Sequence, residues 1–148
     1  MKRKTVRYSF FAVLIIIAGL SWYAYNEYNR KQKDTAALNA DFSLSSKDLL
    51  QAFISNEQNA NKKYLDKVIA VTGNVKSVDK DSEGTNTIII GEPGELLAVR
   101  CTLDSTHNDE AVRIAAQKTI TVKGICTGFN SDEMLGSDVI LSRCTINN

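Results

Sequence analysis

Lys67-Val68-Ile69-Ala70-Val71-Thr72-Gly73-Asn74-Val75 is the stretch on which the fold turns. Here the apolar period changes from 3.6 to 2, which puts Ile69, Val71 and Val75 on one face of a strand. Gly73 lies between them, where a missing side chain suits a sharp bend or bulge in a strongly coiled strand. Upstream, Leu49, Phe53, Ala60 and Tyr64 recur at helical spacing, with Leu50 and Ile54 widening the stripe. Ser45 is a good N-cap, and Asp48 three residues later supplies the acid of a capping box. The pattern predicts an amphipathic helix over 46–63 that covers one end of a sheet.

Downstream, Asp79 to Gly84 reads as a turn, Thr87 to Gly91 as a second strand, and Glu92-Pro93-Gly94-Glu95 as another turn. Leu97, Val99, Cys101 and Leu103 alternate on a third strand. Residues 109–117 offer the modest apolar face of a short helix. Residues 119–127 place Ile120, Val122, Gly124 and Cys126 on one side of a fourth strand, and 138–146 form a fifth. The expected class is mainly β with helices. Strand, strand, strand, helix, strand, strand is the order of an OB-fold, a five-stranded Greek-key barrel.

Several runs sharpen that reading: Tyr64 to Gly73, Val99-Arg100-Cys101, Ile120 to Phe129, and Asp138-Val139-Ile140-Leu141-Ser142-Arg143-Cys144. Over roughly 45–144 the chain resembles the tRNA_anti-like group of OB-fold proteins, whose members usually carry an export signal or anchor. The Cys-Thr-Gly segment and the trailing Asp-Val-x-Leu-x-x-Cys are the most specific part. Residues 130–137 look longer than the usual turn of that group. The resemblance implies a fold much more firmly than it implies RNA binding.

The N-terminus gives an address. Lys2, Arg3, Lys4 and Arg7 precede an uncharged stretch, 8–25, which as a helix would span about 27 Å, enough to cross a hydrocarbon core. Trp22, Tyr23, Tyr25 and Tyr28 supply interfacial aromatics, and the basic cluster should stay in the cytoplasm. The expected organisation is a signal-anchor at 1–28, a polar linker at 29–44 and an OB-fold domain at 45–148. That makes a single-pass protein of a bacterial inner membrane, its C-terminal domain periplasmic. The alternative is a cleaved signal peptide, with Gly19 and Ser21 at the cleavage spacing; both readings export the domain. No Cys sits near the end of the apolar run, as a lipoprotein would need.

All 17 acidic residues but only 14 of the 18 basic ones lie from Asn26 onward, so the exported part carries a net charge of −3. It has no electrostatic bias toward nucleic acid. OB-folds that bind single strands use a basic groove and aromatics on which bases stack. After Tyr28 the aromatics are Phe42, Phe53, Tyr64 and Phe129, and three of them precede the barrel.

No catalytic machinery is visible. Asp104-Ser105-Thr106-His107-Asn108-Asp109 contains nucleophile, base and acid types, but sequence neighbours do not generally converge on one reacting atom. Ser105 or Thr106 is expected to cap the short helix, leaving His107 exposed. Asp79-x-Asp81-x-Glu83-Gly84 imitates a calcium loop, yet Ile90 stands where the bidentate Glu belongs. No cofactor or metal site is expected.

Three cysteines in an exported chain allow one disulfide. In an OB barrel the third and fifth strands run parallel and adjacent, which favours a Cys101–Cys144 bond with Cys126 buried. Three buried thiols, or a Cys126–Cys144 bond under another register, remain open alternatives.

The expected function is binding. Candidate ligand-binding residues are Lys76, Arg100, Lys123, Phe129 and Arg143, with the 79–84 turn. The first partner expected is an envelope protein, engaging the 130–137 loop or the apolar helix face. A small ligand or oligosaccharide, or single-stranded nucleic acid, is the alternative.

Overall fold

The computed structural model describes residues 16, 18–25, 34–114, 118–132 and 136–147. It divides into two compact units, Met1–Lys33 and Asp34–Asn148. In the first, residues 16 and 18–25 are helical, and the rest of the expected 8–25 span lies outside the described residues. Among the described residues, no helix is long and apolar enough to cross a membrane.

The second unit is mainly β: one six-stranded sheet with a few helices, consistent with an OB-like fold. A 3-10 turn, Thr35–Ala37, leads into β1 (Phe42–Ser45), then α1 (Ser46–Ser55) and α2 (Glu57–Tyr64). The strands β2 (Val68–Lys80), β3 (Asn86–Ile90) and β4 (Leu97–Leu103) follow. A second 3-10 turn, Asn108–Arg113, precedes β5 (Thr119–Asp132) and β6 (Gly136–Asn147). The strand order is β1-β2-β3-β4-β6-β5, and β2 also pairs with β5, which closes the sheet on itself. As topology required, β4 and β6 are parallel.

The long strand β2 makes closure possible. Its first half, 68–74, pairs with β5, and from Val75 it pairs with β3 across a register shift between Val75 and Ser77. The bulge therefore sits beyond Gly73. Gly73 is needed for a different reason: a Cβ there would run into Ile90 and the Ser46 hydroxyl at the start of α1.

Five strands were expected and six are present among the described residues. The extra one is β1, which lies parallel on β2 with Phe42 opposite Ile69 and Ser45 opposite Thr72. It falls within the stretch that reads as a polar linker. The helix expected over 46–63 is two helices, because Asn56 adopts an extended conformation that ends α1 and caps α2, its side chain accepting the Asn59 N–H. A side chain able to satisfy a free backbone donor favours this break over continuation. Ser45 caps α1 as read: its hydroxyl accepts the Asp48 N–H and donates to the Asp48 carboxylate.

The barrel interior is filled by Ile69, Val71, Val75, Ile88, Ile90, Val99, Val122, Val139 and Leu141, all fully buried. Leu49 and Phe53 of α1 belong to the same core. Phe53 stacks on Phe129 at 5.3 Å between ring centroids and lies 6.1 Å from Tyr64. Burying each such side chain contributes about 1.5–3 kcal/mol, so the helices are structural parts of the barrel and not appendages.

Candidate functional site

Pro93 and Gly94 build one wall of a solvent groove beside α1. Glu92 to Glu95 form a β-turn closed by the Glu95 N–H to the Glu92 carbonyl, with Gly94 at φ +86°. Pro fixes the second position of such a turn, and Gly tolerates the left-handed third. Lys76 holds the turn against β2 by donating to the Glu95 carbonyl. Opposite stands α1. Between them lies a groove of about 220 Å³, lined by Lys47, Leu50, Gln51 and Ile54 of α1 and by Glu92, Glu95 and Leu97. Ile54 is 49% exposed and Leu96, beside the groove in sequence, 62%. The floor is apolar and the rim carries both signs of charge.

None of the five residues expected to bind a ligand lines this groove, although Lys76 braces its turn. Arg100 projects from β4 and ion-pairs with Asp138 of β6. Lys123 is buried, its ammonium donating to the carbonyls of Ala36 and Leu38 at 2.8 Å each. Arg143 adopts a left-handed φ of 53° and reaches Asp104 at 3.4 Å. Phe129 is in strand β5, not in a loop, and packs on Phe53. Of the expected 130–137 loop, residues 130–132 and 136–137 are strand, with Asn130 opposite Asp138 and Asp132 opposite Gly136, and 133–135 lie outside the described residues. The structure thus gives each cation its own intramolecular acceptor and does not gather the four into one basic groove.

The outer face of β3 and β4, where OB-folds commonly take ligands, carries Thr87, Ile89, Arg100 and Thr102. Their neighbours Ile88, Ile90, Val99, Cys101 and Leu103 fill the core. The Thr87 and Thr102 hydroxyls face each other at 3.3 Å. Neither strand contains an aromatic residue on which a base could stack.

His107 is not exposed as expected; its side chain is 19% exposed and bonded at both nitrogens. It occupies the N-cap position of the second 3-10 turn without a side-chain cap bond. Nδ1 lies 2.7 Å from Glu110 and Nε2 3.1 Å from Asp34. The hydrogen bonds to Glu110 first and Asp34 second raise its pKa against the opposing effect of burial. Asp104, which accepts from both the N–H and the hydroxyl of Thr106, is held below the usual carboxylate range by those bonds and then by Arg143. In the 79–84 turn, Asp81 is likewise engaged by the backbone, accepting the N–H groups of Glu83 and Thr85.

Cys101, Cys126 and Cys144 are free, buried thiols. The Cys101–Cys144 bond expected from topology is not drawn between these thiols; the register sets Cys144 opposite Leu103 and Cys101 opposite Leu141. Burial first, and then the neighbouring Cys101 thiol, push the Cys144 thiol well above its ordinary range, and burial raises Cys126. Thiols held protonated are poor nucleophiles and metal ligands.

Sequence reasoning missed the groove wall and the docking of 34–38. The only signals were a Pro-Gly turn beside an apolar pair and an Asp-Thr-Ala-Ala run able to form a capped turn.

A small barrel closed through β2, with helices sealing one end and an open groove beside them, defines a binding domain of OB type. The chain belongs to the tRNA_anti-like family, whose profile it matches over residues 1–144. Among solved structures it is similar to a lipoprotein of Klebsiella pneumoniae to which nucleic-acid binding is ascribed. That likeness has 15% identity and a TM-score of 0.58, covering 80% of this chain and 100% of that one. An aspartyl-tRNA synthetase of Entamoeba histolytica is more distant, at 9% identity and a TM-score of 0.43, over 80% of this chain and 23% of that one. At these identities the likeness is one of fold. A search of curated proteins returned no match.

Proposed function

We propose that the protein is a single-pass, membrane-anchored binding module. In this reading β2 to β6 form a five-stranded OB-type Greek-key barrel, held outside the cytoplasm of a bacterial cell and bound to a protein of the envelope. The observation that carries it is the contrast between occupied cations and an open amphipathic groove. Lys76, Arg100, Lys123 and Arg143 each have an acceptor within the molecule. A groove floored by Leu50, Ile54 and Leu97 and rimmed by Lys47, Glu92 and Glu95 suits a peptide segment with apolar anchors. The module acts by binding and not by catalysis, since its thiols are buried and its histidine is engaged between carboxylates. The cationic cluster before the apolar stretch supports export.

A photo-crosslinker placed at position 54 in living cells tests this, with position 102 on the β3–β4 face as control. Crosslinking of one envelope protein from 54 and not from 102 is the expected result. The ascribed nucleic-acid binding of the Klebsiella lipoprotein supplies the competing reading. Crosslinks to RNA, or from 102 alone, would replace the protein partner with a strand or small ligand on the barrel face.

A further inference from the structure

Residues 34–38 lie across the outer side of β5 and β6, held at three points. The Lys123 ammonium grips the Ala36 and Leu38 carbonyls. The Asp34 carboxylate meets Nε2 of His107. Thr35 is fully buried, but its hydroxyl has no hydrogen-bond partner. A buried unsatisfied hydroxyl costs about 1–3 kcal/mol, so this seat is weak and depends on its polar clasps. Beyond it, Asp41 is fixed independently, its N–H donating to the Val68 carbonyl and its carboxylate accepting the Val68 N–H.

The His107 clasp requires two ring protons. Glu110 is itself fixed to β6, its second oxygen accepting the Ile146 N–H at 3.1 Å. The shorter Nδ1 contact to Glu110 therefore keeps the proton when the ring is neutral. Nε2 would then turn a lone pair toward the Asp34 carboxylate, and the bond would become a repulsion. We propose that residues 34–40 form a latch, closed while His107 is an imidazolium and open when it is neutral. Opening uncovers Lys123 and frees seven residues, about 25 Å of extended chain, between the barrel and the N-terminal segment.

The acidic groups around the ring favour its charged form. Asp34 faces the ring from the strap and Glu110 from the ring's own turn. Asp104, paired with Arg143 of β6, adds a negative charge near Asp34, and Lys123 of β5 holds the strap's carbonyls. The Ala36 N–H first, and His107 second, hold Asp34 below 3.8, so it stays ionised through neutrality. Glu110 first and Asp34 second raise the pKa of His107 above 6.5, and the Asp34 share couples the ring to the latch, which is stabilised while the ring is charged and weakens as pH rises through that raised midpoint.

His107 is the only histidine in the chain, so its imidazole resonances are unambiguous. The test is an NMR titration of the full-length protein in detergent micelles, alongside hydrogen–deuterium exchange corrected for intrinsic rates. The expected midpoint lies above 6.5, with exchange of residues 34–40 rising about tenfold across it while 68–71 do not change. Asp34→Asn should lower the midpoint. His107→Gln should leave 34–40 open at both ends of the range. Exchange that stays flat through the midpoint, a midpoint at or below 6.5, or wild-type protection in the Gln variant would each overturn the latch.

Discussion

The two flanks of the barrel meet solvent in opposite ways. Over β5 and β6 the chain folds back on itself, and Lys123 of β5 is buried under two backbone carbonyls. Beside α1 the groove stays open, with Ile54 about half exposed on its wall. A lysine in a strand and an isoleucine on a helix invite the opposite assignment, the first as a ligand contact and the second as core. Availability is set by what the rest of the chain does with each residue, not by its type.

The contrast can be broken most forcefully within α1. Phe53 and Ile54 are adjacent, but only Phe53 seals the barrel. Phe53→Ala should cost about 4 kcal/mol in urea melts through the cavity left between Phe129 and Tyr64. On the covered flank, Lys123→Met should cost about 2 kcal/mol, because two carbonyl acceptors lose a charged donor. Lys76→Met, on an exposed side chain, should change stability by less than about 0.5 kcal/mol. A smaller Lys123 effect, equal to that of Lys76, would mean the strap is not seated as described. Least in stability comes Ile54→Ala, within about 0.5 kcal/mol, which should nevertheless abolish crosslinking read from a probe at the neighbouring groove position 51. A loss of stability at 54 matching that at 53 would erase the distinction between flank and core.

Much of the fold was legible because burial imposes a period. Ile69 and Val71, Val99 and Cys101, and Val122 and Cys126 alternate in sequence and do fill the barrel. The parallel β4–β6 pair followed from topology. What could not be read were segments whose structure depends on partners far along the chain. Phe42-Ser43-Leu44-Ser45 is too short and polar to announce a strand, and becomes one only against β2. Phe129 reads as a loop residue until the β5–β6 hairpin extends to Asp132. Lys123 and His107 were misjudged for the same reason. Their partners, Ala36, Leu38 and Asp34, are more than seventy residues away, and no local pattern encodes that contact.

One consequence follows from the small strand β1. It occupies the margin of β2 at residues 69–72, on the side not taken by β5. Bare backbone N–H and C=O groups along that margin would form a template on which a second chain can add as a strand. β1 therefore acts as a built-in stopper against self-assembly. A shortened chain that starts at Ser46 would keep nearly all of the core and lose the stopper, giving a domain that folds but clumps.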